Sequence, residues 1–192
     1  MKWAMHFFSV LPLLLAGCAP KIELVLRQPF APPAQQNLRL TSDRGYHAVT
    51  GDWRTCVLTL PLPGAVDGPR AFVIYLSAPN APGALPVAPE SPQGVRGFLI
   101  QELGALAGRS DFVGGTLRCR SVFLAPRLRR LDLNLRTADG AELVGQATIE
   151  EAPREILAFE REFAGDVAQL APATSQPAEP ETETPPTLSP AP

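Results

Sequence analysis

Arginine residues are concentrated between positions 118 and 136 of this 192-residue chain, where six of them are opposed only by Asp132. A guanidinium group can bind a phosphate or a carboxylate through two parallel hydrogen bonds. Four of the six alternate with apolar residues, and two paired strands would therefore carry them on one outer face. These four are Arg118, Arg120, Arg130 and Arg136. We predict that they form a site for an anionic lipid, an anionic glycan or an acidic protein partner.

Two structural interpretations of this arginine face remain open. The side chains could be solvated, or acidic residues near the C-terminal end of the domain could cover them. Those acidic residues are Glu150, Glu151, Glu155, Glu160 and Glu162. The whole chain has a formal net charge of −2 at pH 7. This charge argues against binding to nucleic acid, because nucleic-acid-binding domains are generally basic.

The residue types of a catalytic triad occur close together around His47. Ser42 precedes it and Asp52 follows it, but a hydrolase also needs these side chains to converge beside an oxyanion hole. The chain has no G-x-S-x-G motif of the kind that presents a nucleophilic serine. Tyr46, His47 and Trp53 could instead form a stacking surface for a sugar or have only a structural role. We predict no catalytic residue, no cofactor and no enzymatic activity.

The first 18 residues have the layout of an export signal. Lys2 precedes an apolar run that is too short to span a bilayer, which takes about 20 residues. The sequence Leu15-Ala16-Gly17-Cys18 ends this run. It resembles the lipobox of bacterial lipoproteins, which has a leucine three residues before the cysteine and small residues between them. An ordinary secreted protein with a chance cysteine is the alternative.

The resemblance implies a lipid anchor. Residues 1–17 would be a signal peptide removed after Gly17, and residues 18–20 a short N-terminus held to membrane lipid through acylation of Cys18. In this class the residue after the cysteine biases sorting, and Ala19, not being Asp, implies the outer membrane facing the periplasm. We therefore expect a lipoprotein of the bacterial cell envelope, with an envelope protein or an anionic lipid or glycan as a second partner.

Cys56 and Cys119 are predicted to face one interior. Cys56 alternates with Leu58, and Cys119 alternates with Leu117 and Phe123, so the strand period places all of these side chains on the apolar face. In an exported protein such thiols form disulfides, and a bridge between them would stabilise the fold by about 4 kcal/mol. Two buried reduced thiols are the alternative. No metal site is predicted, because the chain has no C-x-x-C pair.

Residues 21–170 are predicted to form a single, mainly β domain. The runs with strand patterns are 21–27, 38–41, 46–60 with a break near Gly51, 71–76, 98–106, 116–124, 131–136 and 143–149. Residues 98–106 also fit a helix, although a strand is favoured. Asp139-Gly140 predicts a hairpin turn, whereas the five prolines of residues 79–94 predict a stiff loop. The pattern favours an antiparallel β-sandwich or a half-open barrel.

The end of the domain changes from strand to helix periodicity. Apolar residues recur there at spacings of three and four: Ile156, Phe159, Phe163, Val167 and Leu170. We predict one amphipathic helix from about residue 153 to 170, with a strand over 155–163 as the competing interpretation. Residues 171–192 are rich in Pro, Thr and Glu, and we expect this tail to be disordered because it has too little apolar surface to offset its ordering entropy.

The sequence as a whole favours a binding protein over an enzyme. We expect a non-catalytic binding, accessory or structural module of the envelope. An envelope-polymer hydrolase is one alternative, and it would need His47 to meet an acid and a nucleophile in a cleft. A carrier of an apolar ligand is the other, and it would need an apolar cavity inside the sheet.

Overall fold

The structure is a computed structural model that describes residues 19–62, 70–91, 93–102 and 108–170. The predicted signal peptide at 1–17, the predicted lipidation site Cys18 and the predicted tail at 171–192 lie outside the described residues. Neither α-helix in the described part of the chain has the length and apolarity needed to cross a lipid bilayer.

Strands make up most of the described chain, as predicted. In order they are β1 (Lys21–Arg27), β2 (Asn37–Ser42), β3 (Gly45–Thr50), β4 (Trp53–Pro61), β5 (Arg70–Pro79), β6 (Ala84–Pro86), β7 (Arg96–Gln101), β8 (Gly108–Val122), β9 (Ala125–Thr137) and β10 (Glu142–Glu151). Two helices follow, α1 (Pro153–Glu162) and α2 (Ala164–Ala168), and a short 3-10 helix (Pro33–Gln35) lies between β1 and β2.

The strands close into a seven-stranded barrel. Its neighbours run in the order β10, β3, β4, β5, β7, β8 and β9, and β9 pairs again with β10. All of these pairs are antiparallel except β10 with β3. β1 extends from β10 with β2 on its other side, and β6 adds to β8. The sequence predicted an antiparallel β-sandwich or a half-open barrel. The strands instead form a closed ring without a free edge, because β10 also pairs in parallel with β3.

Alternate residues of each strand fill the barrel interior. On β9, Leu131, Leu133 and Leu135 are buried, whereas Arg130 and Arg136 are exposed. The other strands of the ring contribute mainly aliphatic side chains to the same core cluster. Burial of this apolar surface stabilises the barrel by about 25 cal/mol per Å² removed from water.

Gly115 allows β8 and β9 to approach closely. It adopts a φ of +112°, in a region that residues with a side chain rarely occupy. A Cβ atom at this position would also collide with the carbonyl oxygen of Asn134 on β9. Gly115 therefore fits where a larger residue would separate the two strands.

Helix α1 covers the outer face of β3, β4, β5 and β7. Ile156 and Phe159 are its buried residues, and the Phe159 ring stacks on Tyr75, with 5.8 Å between the ring centroids. The Tyr75 hydroxyl donates a hydrogen bond of 3.1 Å to Glu160. Strand β5 is therefore covered on both faces, by the barrel interior and by α1.

The predicted single helix is interrupted at Phe163. There φ is −111° and ψ is +33°, so the backbone leaves the helical conformation, and α2 begins at the next residue. The Phe163 ring stacks on Phe159, with 4.5 Å between the ring centroids. The competing strand over 155–163 is not formed.

The structure differs from one loop prediction and two strand predictions. Of the predicted strand at 98–106, residues 98–101 belong to β7, and residues 103–107 lie outside the described residues. Part of the predicted stiff loop at 79–94 forms β6, which pairs with β8. The predicted strand at 116–124 begins earlier, at Gly108, and ends at Val122. Phe123 was predicted to face the interior and is instead 86% exposed. The prediction was wrong because the strand period was extended across a turn, in which Leu124 has a φ of +62°.

Candidate functional site

Three segments of the chain meet at one end of the barrel, which we call the tip end. They are the β3–β4 turn at residues 51–52, residues 80–83 after β5, and the β8–β9 turn at Phe123 and Leu124. Thr50 pairs with Trp53, and Trp53 pairs with Pro79, so the first two segments are adjacent. Ala84 pairs with Arg118, which places residues 80–83 beside the outer part of the β8–β9 hairpin.

The four arginines predicted as an anion- or partner-binding face are all exposed. Arg120 pairs directly with Arg130 across β8 and β9. Both form ion pairs with Asp132, which is itself opposite Arg118. Three of the four arginines therefore surround one carboxylate. Arg136 is separate, opposite Gly114 and toward the other end of the barrel.

Two acidic residues of α1, Glu160 and Glu162, contact β5 instead of this face. Glu160 contacts Tyr75, and Glu162 forms an ion pair of 2.6 Å with Arg70. Both partners belong to β5, whereas the arginine face belongs to β8 and β9. The alternative in which these two glutamates cover the arginines is therefore not observed.

A cavity of about 360 Å³ opens at the tip end. It is lined by Arg54, Asn80, Ala81, Pro82, Gly83, Cys119, Arg120, Ser121 and Arg129. This lining contains three arginines and no acidic residue. Arg54 and Arg129 continue the interior register of their strands, since Arg54 alternates with Cys56 and Arg129 alternates with Leu131. Their charged ends lie at the mouth of the barrel, where the apolar interior stops.

Neutral groups hold the two inner arginines of the cavity. The Arg54 Nη2 atom donates a hydrogen bond of 2.6 Å to Asn80, and its Nη1 atom donates to the Cys119 sulfur. The Arg54 Nε atom is buried and has no hydrogen-bond partner in the part of the chain that the structure describes. Arg129 donates to the carbonyl oxygens of Pro126, at 2.6 Å, and Leu128, at 2.8 Å. Among the described residues neither arginine forms an ion pair with a carboxylate, so an anion bound here would supply the missing negative charge.

Cys56 and Cys119 lie on the interior side of this cavity. Cys119 lines it, and both cysteines belong to the interior core cluster or pack against it, as predicted. Both are free thiols in the structure, so the disulfide stays a prediction. Burial raises the pKa of each thiol, a charge on Cys119 would raise the pKa of Cys56 further, and Arg54 opposes both shifts. Both thiols are therefore protonated at neutral pH.

The structure does not bring Tyr46, His47 and Trp53 to one surface. Tyr46 packs against the apolar cluster that lies between α1 and the outer face of the barrel. The guanidinium of Arg96 lies 5.7 Å from the Trp53 ring. The His47 side chain is 1% exposed, and its Nε2 atom lies 3.3 Å from the carbonyl oxygen of Arg127. The Ser42 hydroxyl accepts a hydrogen bond from the backbone of Arg44 instead of contacting His47.

His47 should make stability depend on pH. Burial lowers the pKa of the imidazole below its ordinary value of 6.5, and the charges of Arg54 and Arg129 lower it further. The unfolded chain therefore binds a proton that the folded domain does not. We expect the free energy of unfolding to be nearly constant between pH 7 and 8 and to fall below about pH 6.5, by at most about 1.4 kcal/mol per pH unit.

Urea unfolding between pH 5 and 8 would measure this effect. The His47→Gln variant, which can still donate a hydrogen bond to the Arg127 carbonyl, should lose the dependence in this range. The further loss of stability in more acidic solution should remain, because the hydrogen bond from Arg70 lowers the pKa of Glu162. An unchanged slope between pH 5 and 6.5 in His47→Gln would contradict the assignment.

Sequence reasoning missed Arg54, Asn80 and the exposed pair Phe123 and Leu124. A signal for Arg54 was present, because a charged residue that continues an interior register at the end of a strand must lie at the mouth of a barrel or be paired inside it. Asn80 has no comparable signal, since it follows a strand in a loop whose path depends on the whole fold.

No metal centre is visible in the described ranges, where no group of three or more His, Cys, Asp and Glu side chains could hold a metal ion. The sequence analysis predicted no metal site anywhere in the chain, and the described residues alone do not test that prediction. The arrangement is suited instead to holding an anion against guanidinium groups. No protein-family model, curated protein or solved structure matches this chain.

Proposed function

We propose that this chain is a lipid-anchored protein of the bacterial cell envelope, in the outer membrane facing the periplasm, and that it acts by binding rather than by catalysis. Its ligand carries a phosphate or carboxylate group, which is held in the cavity at the tip end. Acylation of Cys18 provides the anchor. A mature chain bound in this way serves as a binding or accessory module at the membrane.

The observation that supports this proposal most directly is the composition of the cavity. Its charged side chains are Arg54, Arg120 and Arg129. Asp132 already compensates Arg120, whereas Arg54 and Arg129 have hydrogen bonds to neutral groups. Hydrogen bonds between charged partners stabilise a complex by about 1.5–3 kcal/mol each. A single anionic group that contacts both inner guanidiniums would therefore bind appreciably more tightly than a neutral analogue.

The volume of the cavity also limits the ligand. About 360 Å³ is near the lower end of the range for small-molecule sites, which runs from about 300 to 1,000 Å³. This space suits a headgroup-sized molecule, such as a glycerol phosphate or a uronic acid. Either could be free or part of a larger lipid or glycan.

Calorimetric titration with soluble probes tests the site. We expect the chain to bind glycerol 1-phosphate or glucuronate and not to bind glucose, which is neutral. Comparison of the two anions distinguishes a phosphate-bearing lipid headgroup from an acidic glycan. Arg54→Gln should weaken binding of the preferred anion at least about tenfold, because one charge-assisted hydrogen bond is lost.

Arg136→Gln is the matched control. It removes the same charge from the outer face of β9, away from the cavity lining. Its affinity for the anion should equal that of the parent chain. If both variants bind equally weakly, the general positive field and not the cavity attracts the ligand, and the assignment of the site is wrong. Binding of neither anion by the parent chain would contradict the proposal itself.

The contacts of the described residues do not support the two alternative functions, an envelope-polymer hydrolase and a carrier of an apolar ligand. A hydrolase would need the ring of His47 to face a substrate, whereas that ring is buried against the Arg127 carbonyl. A carrier of apolar ligands would need an apolar cavity, whereas the cavity at the tip end is lined by three arginines, Asn80 and Ser121.

A further inference from the structure

The β8–β9 hairpin ends in two large apolar side chains that are exposed to solvent. Phe123 is 86% exposed and Leu124 is 82% exposed. Leu124 also adopts a φ of +62°, a left-handed conformation that is uncommon for residues other than glycine. Adjacent exposed apolar residues of this size usually mark a surface that contacts another molecule or a membrane.

The arms of the hairpin next to this turn are rich in arginine. Five arginines and no acidic residue lie between positions 118 and 130. We call these five the arginine collar: Arg118, Arg120, Arg127, Arg129 and Arg130. Asp132 on β9 lies opposite Arg118 and forms ion pairs with Arg120 and Arg130. Glu150 and Glu151 on β10 and Asp52 in the β3–β4 turn are further acidic residues at this end of the barrel. Five arginines against one carboxylate still leave the hairpin itself positive, immediately behind Phe123 and Leu124.

The start of the domain lies at the same end of the barrel as the hairpin turn. Lys21 on β1 pairs with Thr148, Thr148 pairs with Arg130, and Arg130 pairs with Arg120. These four residues form one row across β1, β10, β9 and β8. From Arg27 to Lys21 the chain runs alongside β9 in the direction of Ala125. Residues 20 and 19 thus leave the barrel at the tip end, and Cys18 directly precedes them.

We propose that Phe123 and Leu124 insert into the anionic phospholipid bilayer to which Cys18 is anchored, with the arginine collar against the lipid headgroups. The inference rests on the proposed function for the anchor, and it adds a second, non-covalent membrane contact. Apolar side chains at the tip gain from burial in the acyl region, while arginine side chains remain at the headgroup level. The barrel then stands with its tip end on the membrane.

This orientation places the cavity at the membrane surface. Arg120 and Arg129 belong to both the cavity lining and the arginine collar. When the tip is inserted, the opening of the cavity faces the headgroup layer. A phosphate-bearing headgroup could then reach Arg54 and Arg129 without leaving the bilayer.

Co-sedimentation with vesicles tests the insertion separately from the acyl anchor. We would use residues 18–192 with Cys18→Ala, so that no lipid is attached, and vesicles of phosphatidylglycerol mixed with phosphatidylcholine. The Phe123→Ser/Leu124→Ser variant should bind about a hundredfold more weakly, since burial of one such side chain changes partitioning by about tenfold or more. Pure phosphatidylcholine vesicles should bind the parent chain weakly, because the arginine collar has no anionic headgroups to contact.

Phe30→Ser is the matched control. Phe30 is 88% exposed, and its ring lies beside Gly140 at the opposite end of the barrel. This variant should bind vesicles as the parent chain does. Equal loss in Phe30→Ser, or no loss in the double variant, would overturn the proposal.

The soluble anion probe separates this proposal from the proposed function. The double variant should still bind glycerol 1-phosphate or glucuronate with the affinity of the parent chain, which also shows that it folds. If the parent chain binds neither soluble anion but the double variant alone loses vesicle binding, the cavity assignment fails and the insertion stands. If vesicle binding is the same for all variants, the insertion fails whatever the cavity binds.

Discussion

Replacing Cys18 with alanine is expected to abolish incorporation of a fatty-acid analogue and to weaken retention of the chain in the membrane fraction, where only the non-covalent contact of the hairpin tip would then hold it. Each CH₂ group of an acyl chain contributes about 0.8 kcal/mol of membrane affinity when it is buried, and more than one chain is needed for stable attachment. Loss of the thiol prevents acylation altogether. Metabolic labelling followed by fractionation would measure both effects.

Cys119→Ala is the matched control for this experiment. It also removes one thiol, but from the interior cluster of the domain and not from the predicted lipobox. Labelling and membrane association should be unchanged in this variant. Labelling that persists in Cys18→Ala would show that another residue is acylated and would contradict the assignment of Cys18. Absence of labelling in the parent chain would show that the resemblance to a lipobox is accidental, as in an ordinary secreted protein. The hairpin tip could still bring the unlabelled chain to vesicles, so labelling is the decisive readout for the anchor.

The strands of this domain could be predicted from the sequence because their signals are local. Leu131, Leu133 and Leu135 alternate with polar residues within β9, and Asp139-Gly140 defines the turn into β10. Closure of the barrel could not be predicted in this way. It depends on a short parallel contact in which Tyr46 on β3 meets Glu150 on β10, and two residues so far apart in the sequence carry no common local pattern.

Only part of the candidate site could be predicted from the sequence. The outward register of Arg118 and Arg120 follows from their alternation with Leu117 and Cys119, and these arginines are exposed as expected. The cavity combines Arg54 with Arg129, which lie on strands that become neighbours across the barrel mouth only after closure. A sequence period describes which face a residue occupies, but it does not say where a strand leaves the core. For that reason the alternation also wrongly predicted that Phe123 faces the interior.

Oxidation of Cys56 and Cys119 to a disulfide is expected to raise the free energy of unfolding by about 4 kcal/mol, because the bridge would restrict a long loop of the unfolded chain. The two thiols face one interior, and they are close enough for a charge on Cys119 to raise the pKa of Cys56. In the reaction the thiols lose two protons and two electrons, and one oxidised glutathione is reduced to two molecules of glutathione.

The raised pKa values determine how the bridge should form. Disulfide exchange requires a thiolate, and burial keeps both thiols protonated in the folded domain. We therefore expect rapid oxidation when the chain refolds in a glutathione buffer and slow oxidation when the folded domain is placed in the same buffer. A count of free thiols after denaturation would follow both reactions, and urea unfolding would give the difference in stability between the oxidised and reduced chains.

Cys56→Ala provides the control, since one remaining thiol cannot form the intramolecular bridge and its stability should not depend on the oxidant. Two free thiols after oxidative refolding of the parent chain would mean that the cysteines are buried reduced residues.

Formation of the disulfide would also affect the cavity at the tip end. A bridged Cys119 sulfur would still accept the hydrogen bond from Arg54, but it could no longer become a thiolate. The positive charge of Arg54 would therefore be available to an anionic ligand in the oxidised chain, as it is beside the protonated thiol of the reduced chain.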